Sequence, residues 1–271
     1  MNENPIGVMD SGVGGLSILK EIIKKLPNES FIYLADSQNC PYGSKNSDEI
    51  YKLSKRLVKF LIKKKVKLIV IACNTITVAC LDKLRKDFPQ IPIIGTVPVV
   101  KTASKLTKNR RIGILSTQQT AKSKYQKDLI KKFTKSLKIL NLGTDKLAPL
   151  IENKRGNKIA INKILKAEIK PFINFKIDVL ALGCSHFPFL KREMQKILGK
   201  KVLILDSSGA IARQTKRIIL MENSCLPAGR LLSEYNNFSR VLLTTGEVAD
   251  FKRVLRKDFL SKFDKIEKVS I

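Results

Sequence analysis

A chain of 271 residues that is 44% hydrophobic, with its apolar residues in short periodic segments, can bury one large or two modest cores; this excludes a disordered chain. The formal net charge is +29, from 52 basic and 23 acidic residues, yet 40 of the basic residues are lysines spread along nearly every segment, which speaks against a dedicated arginine-rich phosphate reader. Five scattered cysteines and a single histidine exclude a disulfide framework and leave a zinc site little to work with.

No apolar run approaches the roughly 20 residues of a membrane span. The N-terminal Met1-Asn-Glu-Asn-Pro-Ile-Gly lacks a basic stretch followed by an apolar one, so a soluble cytoplasmic protein is expected. A Cys73–Cys184 disulfide stays open on sequence grounds, although a reducing compartment disfavours it.

Ile6-Gly-Val-Met-Asp10 reads as a first strand and Ser11-Gly-Val-Gly-Gly15 as the turn after it. Leu16, Leu19, Ile22, Ile23 and Leu26 recur at helical spacing up to Pro27. Phe31 to Ala35 is a second strand, running into a polar loop with Pro41-Tyr42-Gly43. A lysine-rich amphipathic helix from about Asp48 to Lys64 leads to the strand Ile69-Val-Ile-Ala-Cys73, and a helix through Leu81 and Leu84 follows. Pro92 to Gly95 is a fourth strand.

The pattern then begins again. Arg111 to Ser116 is a strand opening into a hydroxyl-bearing turn, and Leu137 to Leu142 takes the place of the second strand after a helix. A helical stretch near Ile159 to Phe172 precedes the strand Val179-Leu-Ala-Leu-Gly-Cys184, and Val202 to Asp206 mirrors Pro92 to Gly95. In the tail a helix from Ile211 to Met221, an irregular loop Cys225 to Arg230, a last strand Val241 to Thr245 and a final helix Phe251 to Phe263 are predicted. Strands alternating with helices predict an α/β fold of two similarly built halves with mainly parallel sheets, the ligand lying in the cleft between them.

Each of the two matching runs delivers a cysteine at the carboxyl end of a buried strand, the edge at which open α/β sheets bind ligands. A single such cysteine reads equally well as a small buried hydrophobe. Two of them, in similar halves, supply what inversion of a carbon bearing an acidic hydrogen requires: a base on one face and an acid on the other. A free thiol near pKa 8.5 is only a few per cent thiolate at neutral pH, so neighbours must assist. Asp10 can assist Cys73, with an Asx turn or helix cap as its competing use. His186 can assist Cys184, with a hydrogen-bonded structural role as the alternative. Asn74, Thr75, Ser185 and the turn amides after Asp10 can hold the carboxylates and ammonium of an amino acid.

Asp10-Ser-Gly-Val-Gly-Gly-Leu16, Pro41-Tyr-Gly43, Ala72-Cys-Asn-Thr75 and Gly183-Cys-Ser-His-Phe-Pro188, in this order, resemble the glutamate racemases of the cofactor-independent aspartate/glutamate racemase superfamily. Gly95 to Lys101 and Thr245-Gly246 extend the likeness over essentially the whole chain. The resemblance implies two α/β domains related by a pseudo-twofold, here residues 1–97 plus 208–271 on the Cys73 side and 98–207 on the Cys184 side. It implies direct interconversion of L- and D-glutamate without cofactor or metal, supplying D-glutamate for peptidoglycan, in a homodimer. Cys73 and Cys184 would be the two acid/base thiols, Asp10 and His186 their helpers, and Glu152 a further helper carboxylate, although it reads equally as a surface glutamate. Ser11, Pro41, Tyr42, Gly43, Asn74, Thr75 and Ser185 would contact substrate. Ser185 and Phe187 stand where threonine and tyrosine are common, and Cys40 is unusual at its position.

Three other readings compete. Aspartate racemase is the nearest, but His186 stands where the aspartate enzymes tend to carry glutamate. A dinucleotide-binding oxidoreductase would use Gly12-x-Gly14-x-x-Ser17 with Asp36 at the next strand end, against which stand Ser17 in place of the third glycine and the charge of Asp10. A nucleic acid binder rests on the charge alone, which predicts at most weak binding that fades as salt rises.

Overall fold

The computed structural model describes residues 4–97, 99–153, 158–224, 238–255 and 257–271. The chain opens with β1 (Ile6–Asp10), α1 (Leu16–Lys25), β2 (Phe31–Ala35), α2 (Ser47–Lys63), β3 (Leu68–Ile71), α3 (Asn74–Asp87), β4 (Ile93–Gly95) and α4 (Val100–Leu106). There follow β5 (Arg111–Ser116), α5 (Gln118–Lys122), α6 (Lys124–Phe133), β6 (Lys138–Gly143), α7 (Leu147–Asn153), α8 (Lys158–Asn174), β7 (Val179–Gly183), α9 (Lys191–Leu198) and β8 (Leu203–Leu205). The tail holds α10 (Ser208–Ser224), β9 (Arg240–Thr244), α11 (Val248–Val254), α12 (Lys257–Leu260) and β10 (Lys265–Lys268).

Local chemistry accounts for the elements that carry the site. β1 and β3 are buried along their whole length, as apolar strands covered on both faces must be. Alternation sends Val8 and Val70 to a core shared with α1, and Met9 and Ile71 to a second core on the other face, under α2 and α3. α1 buries Leu16, Ile18, Leu19, Ile22 and Ile23 along one stripe. α2 is capped by Asn46, whose side chain accepts from the Glu49 amide, with Asp48 and Glu49 in its first turn.

The strands form two sheets, one in the order β10-β9-β2-β1-β3-β4 and the other β6-β5-β7-β8, and every pairing among the described residues is parallel. In the first sheet β1 lies between β2 and β3; in the second β5 lies between β6 and β7. At those points the strand order reverses and the helices diverge, opening a crevice at the carboxyl ends. Register puts Met9 beside Ile71 and Ser116 beside Gly183, so Asp10 and Cys73 leave one sheet edge together, as Thr117 and Cys184 leave the other.

The tail departs from expectation. In place of one helix from Phe251 to Phe263 there are α11 and α12, broken at Leu255, whose backbone is extended, followed by the strand β10. Phe251, Val254 and Leu255, spaced as one helical face, reach the core beside α1 from α11 and its end, and the break lets Phe263 turn back into the same core. β9 then joins β2, and β10 adds the outer edge. The loop Cys225 to Arg230 lies outside the described residues. Among those described, no helix is long and apolar enough to cross a membrane.

Candidate active site

Cys73 stands between β3 and α3 at the helix N-cap, and Ser11 Oγ lies 3.7 Å from its Sγ. Asp10, fully buried at the end of β1, accepts from the Gly12 amide at 3.0 Å and from Ser185 Oγ at 2.9 Å. Burial raises the Asp10 carboxyl to about 6, against the opposing pull of His186 and these two hydrogen bonds. Burial and the Asp10 charge push the Cys73 thiol up to about 12, outweighing the Ile76 amide and Ser11. The Cys73 sulfur therefore holds its proton at neutral pH.

Cys184 occupies the corresponding place after β7, with His186 Nδ1 3.8 Å from its Sγ. His186 Nε2 meets Glu152 Oε1 at 2.5 Å. Glu152 comes from α7 and also accepts from the Val13 amide at 2.8 Å. Burial works against a charged imidazole here, but the hydrogen bonds to Cys184, Cys40 and Glu152 and the carboxylate's charge prevail, holding His186 well above its usual range. The two thiols thus have unlike partners, a carboxyl on one side and a carboxylate-backed imidazolium on the other.

Contacts between the halves hold these groups together. Ser185 binds Asp10, Glu152 binds the Val13 amide, and Ser17 Oγ donates to the Ser185 carbonyl at 3.0 Å. The glycine turn after β1 is pressed flat against the other half: a Cβ on Gly12 would lie 1.9 Å from Glu152 Oε1, and one on Gly14 2.5 Å from His186 Nδ1. That packing removes the dinucleotide reading, because the turn has no room for a pyrophosphate. Asp36, the required ribose ligand, is already bound by Tyr42, Thr245 and Asn39.

Of the residues singled out from sequence, Asp10, Ser11, Cys73, Cys184, Ser185, His186 and Glu152 form one connected cluster. Asn74 is buried, and neither its amide nitrogen nor its oxygen has a partner. Such a group costs roughly 1–3 kcal/mol unless a ligand satisfies it. Thr75 Oγ1 meets Thr117 Oγ1 at 3.0 Å across the halves. Pro41 follows a cis peptide bond, and Gly43 abuts Asp145 and Thr117 of the second half. Tyr42 is buried and its hydroxyl donates to Asp36 at 2.5 Å, a bond that supports the loop. Cys40, Cys73, Cys80 and Cys184 are free thiols.

Sequence reasoning did not single out Thr117 or the pairing of Asp36 with Thr245. Thr117 had a usable signal, since it follows β5 as Ser11 follows β1. Asp36 and Thr245 are 209 residues apart and had none.

The Asp/Glu/Hydantoin racemase family matches residues 6–215. A glutamate racemase of Clostridium novyi is 41% identical over 220 residues, 81% of this chain and 85% of that protein. Among solved structures, glutamate racemase isoform RacE1 of Bacillus anthracis superposes with a TM-score of 0.86 at 31% identity, covering 100% of this chain and 99% of that one. Escherichia coli glutamate racemase, in complex with L-glutamate and the activator UDP-MurNAc-Ala, gives 0.84 at 31% identity, covering 98% of each chain. With two parallel sheets meeting at paired thiols and a match over most of its length, the chain belongs to the Asp/Glu/Hydantoin racemase family.

Proposed function

We propose that this chain is a glutamate racemase in which Cys73 and Cys184 exchange protons with opposite faces of the α-carbon. The observation that carries the reading is the pair of free, buried thiols at equivalent strand ends, each with its own helper, beside the unpartnered Asn74 amide. Cys73 is close enough for the Cys184 charge to raise its pKa. One sulfur, as thiolate, takes the α-proton; the other, as thiol, delivers a proton from the opposite side. Turnover leaves the two sulfurs with exchanged protonation, which is the state that accepts the opposite enantiomer.

Asp10 and the His186–Glu152 pair are assigned to steer those proton transfers. Ser11, Asn74, Thr75, Ser185 and the turn amides are assigned to the carboxylates and ammonium, where fixed dipoles also stabilise charge developing at the α-carbon. Residues 1–97 with 208–271, and 98–207, are proposed as the two domains, in a homodimer located in the cytoplasm that supplies D-glutamate to peptidoglycan. The lysine-rich surface supports weak nucleic acid binding that fades with salt, without a role in catalysis.

The test is L-glutamate in D2O with no added cofactor, following optical rotation and α-deuterium incorporation together. Loss of rotation in step with deuterium uptake, with L-aspartate inert, is expected. Retention of optical rotation and of the α-proton under reducing conditions overturns the reading.

A further inference from the structure

Cys40 has no part in the proton transfers above, yet the fold brings it to the Glu152–His186 pair. Its Sγ lies 3.6 Å from Glu152 Oε1 and within hydrogen-bonding reach of the imidazole. A ligating atom from each of Cys40, Glu152 and His186 falls within 4.8 Å of the others. From the geometry we infer a binding site for a thiophilic divalent cation of the zinc type, held by Cys40 Sγ, Glu152 and His186 Nε2 and shutting off racemisation when filled.

The donor set and spacing fit such an ion. With bonds of about 2.0 to 2.3 Å to nitrogen, oxygen and sulfur, the ligand atoms of a tetrahedral zinc stand about 3.3 to 3.8 Å apart. The Cys40–Glu152 separation is already in that range. The Glu152–His186 contact of 2.5 Å must open by a turn of the Glu152 carboxylate, and Cys40 Sγ and the imidazole, within 4.8 Å of each other, must settle into the same range. A thiolate, an imidazole and a carboxylate are a zinc set and a poor one for magnesium or calcium. Three protein ligands leave a fourth position for water. Access is from the side of Cys40, which is partly exposed, and Glu152, whose side chain is 17% exposed.

Outer contacts are in place as well. The Val13 amide orients the Glu152 carboxylate, and His186 Nδ1 faces Cys184 Sγ. Binding releases the Cys40 thiol proton and the proton shared between His186 and Glu152 to the buffer. With the ion on Nε2, the ring's one remaining proton is on Nδ1. The metal-bound neutral ring gives up that proton far less readily than the imidazolium does, and with Nδ1 protonated it takes none from the thiol, so His186 no longer exchanges protons with Cys184. That side of each exchange cycle is lost, so both directions slow together.

The inhibitory part rests on the racemase reading; the binding part does not. Reduced, chelator-treated protein is titrated with zinc chloride by calorimetry, and with cobalt chloride to read the thiolate-to-cobalt charge-transfer band, both without substrate. One ion per chain is expected, with a thiolate band that Cys184→Ser retains and Cys40→Ser loses. Cys40→Ser should weaken zinc binding at least tenfold, keep a cooperative thermal transition, which shows that it folds, and lose a smaller fraction of its own metal-free turnover when zinc is added. No binding, a wild-type cobalt complex without a thiolate band, equal affinity in Cys40→Ser, or a band lost only in Cys184→Ser overturns the proposal. If metal-free protein fails to racemise glutamate, the racemase reading falls by itself, and the substrate-free titrations still decide the ion site.

Discussion

The two halves of the molecule are alike in backbone and unlike in chemistry. Each places a central strand beside a thiol-bearing neighbour, β1 with β3 and β5 with β7, all parallel. Yet Cys73 faces a buried carboxyl and a hydroxyl, whereas Cys184 faces an imidazole backed by a carboxylate. Burial and the Asp10 charge hold the proton on Cys73, while His186 presents positive charge to Cys184. Similar topology therefore does not imply equal sites: it supplies two equivalent strand ends, and local neighbours give each sulfur its own electrostatic surroundings.

The sharpest way to break this comparison is to remove one sulfur at a time. Cys73→Ser and Cys184→Ser are each expected to lower racemisation on the order of 10³-fold or more, because a serine hydroxyl is a far weaker acid and one face then lacks its proton carrier. Polarimetry on both variants decides it. Near-normal turnover in either would mean that one half carries the chemistry alone.

A second test isolates the carboxyl that only the Cys73 side has. The folded pKa of Asp10, about 6, is raised above its unfolded value of 3.8. The folded state therefore holds that proton more tightly, and this contribution to stability is present below about pH 4 and lost as pH rises through 6. Ionised Asp10 costs on the order of 3 kcal/mol by this linkage. Asp10→Asn should gain stability relative to the wild type by a similar amount between about pH 4 and pH 8, while losing activity. Urea unfolding at the two pH values measures it, and a difference independent of pH would show that Asp10 is not a strained buried acid.

The smallest effect concerns the seam. Thr117 follows β5 where Ser11 follows β1, and its hydroxyl both meets Thr75 and caps α5 through the Thr120 amide. Thr117→Val is expected to cost about 1 kcal/mol of stability and Thr117→Ser little, since serine keeps both contacts. Thermal denaturation of the two variants checks this. Loss in Thr117→Ser without loss in Thr117→Val would place the effect in the methyl group and not in the hydroxyl.

Much of this was legible before any coordinates. The apolar runs ending at Cys73 and Cys184 marked buried parallel strands, and the spacing from Leu16 to Leu26 marked α1. Glu152 was less legible, because the short segment Ala148 to Glu152 looks the same on a surface as in a site. The Phe251 to Phe263 stretch misled because apolar spacing there fits a helix, and only the shape of the core beside α1 bends it at Leu255.

By itself the sequence determined what periodicity encodes: the alternation of strands and helices, the buried faces and the delivery of two thiols to carboxyl edges. These depend on contacts within one or two turns, which a local pattern carries. Tertiary structure alone decided what stands behind each thiol and its helper. Asp10 meets Ser185, Val13 meets Glu152, and Cys40 meets the Glu152–His186 pair, all across more than a hundred residues of chain. Such partners depend on how two sheets are set against each other, and a glycine turn flat enough to let Glu152 and His186 approach is where that setting is made.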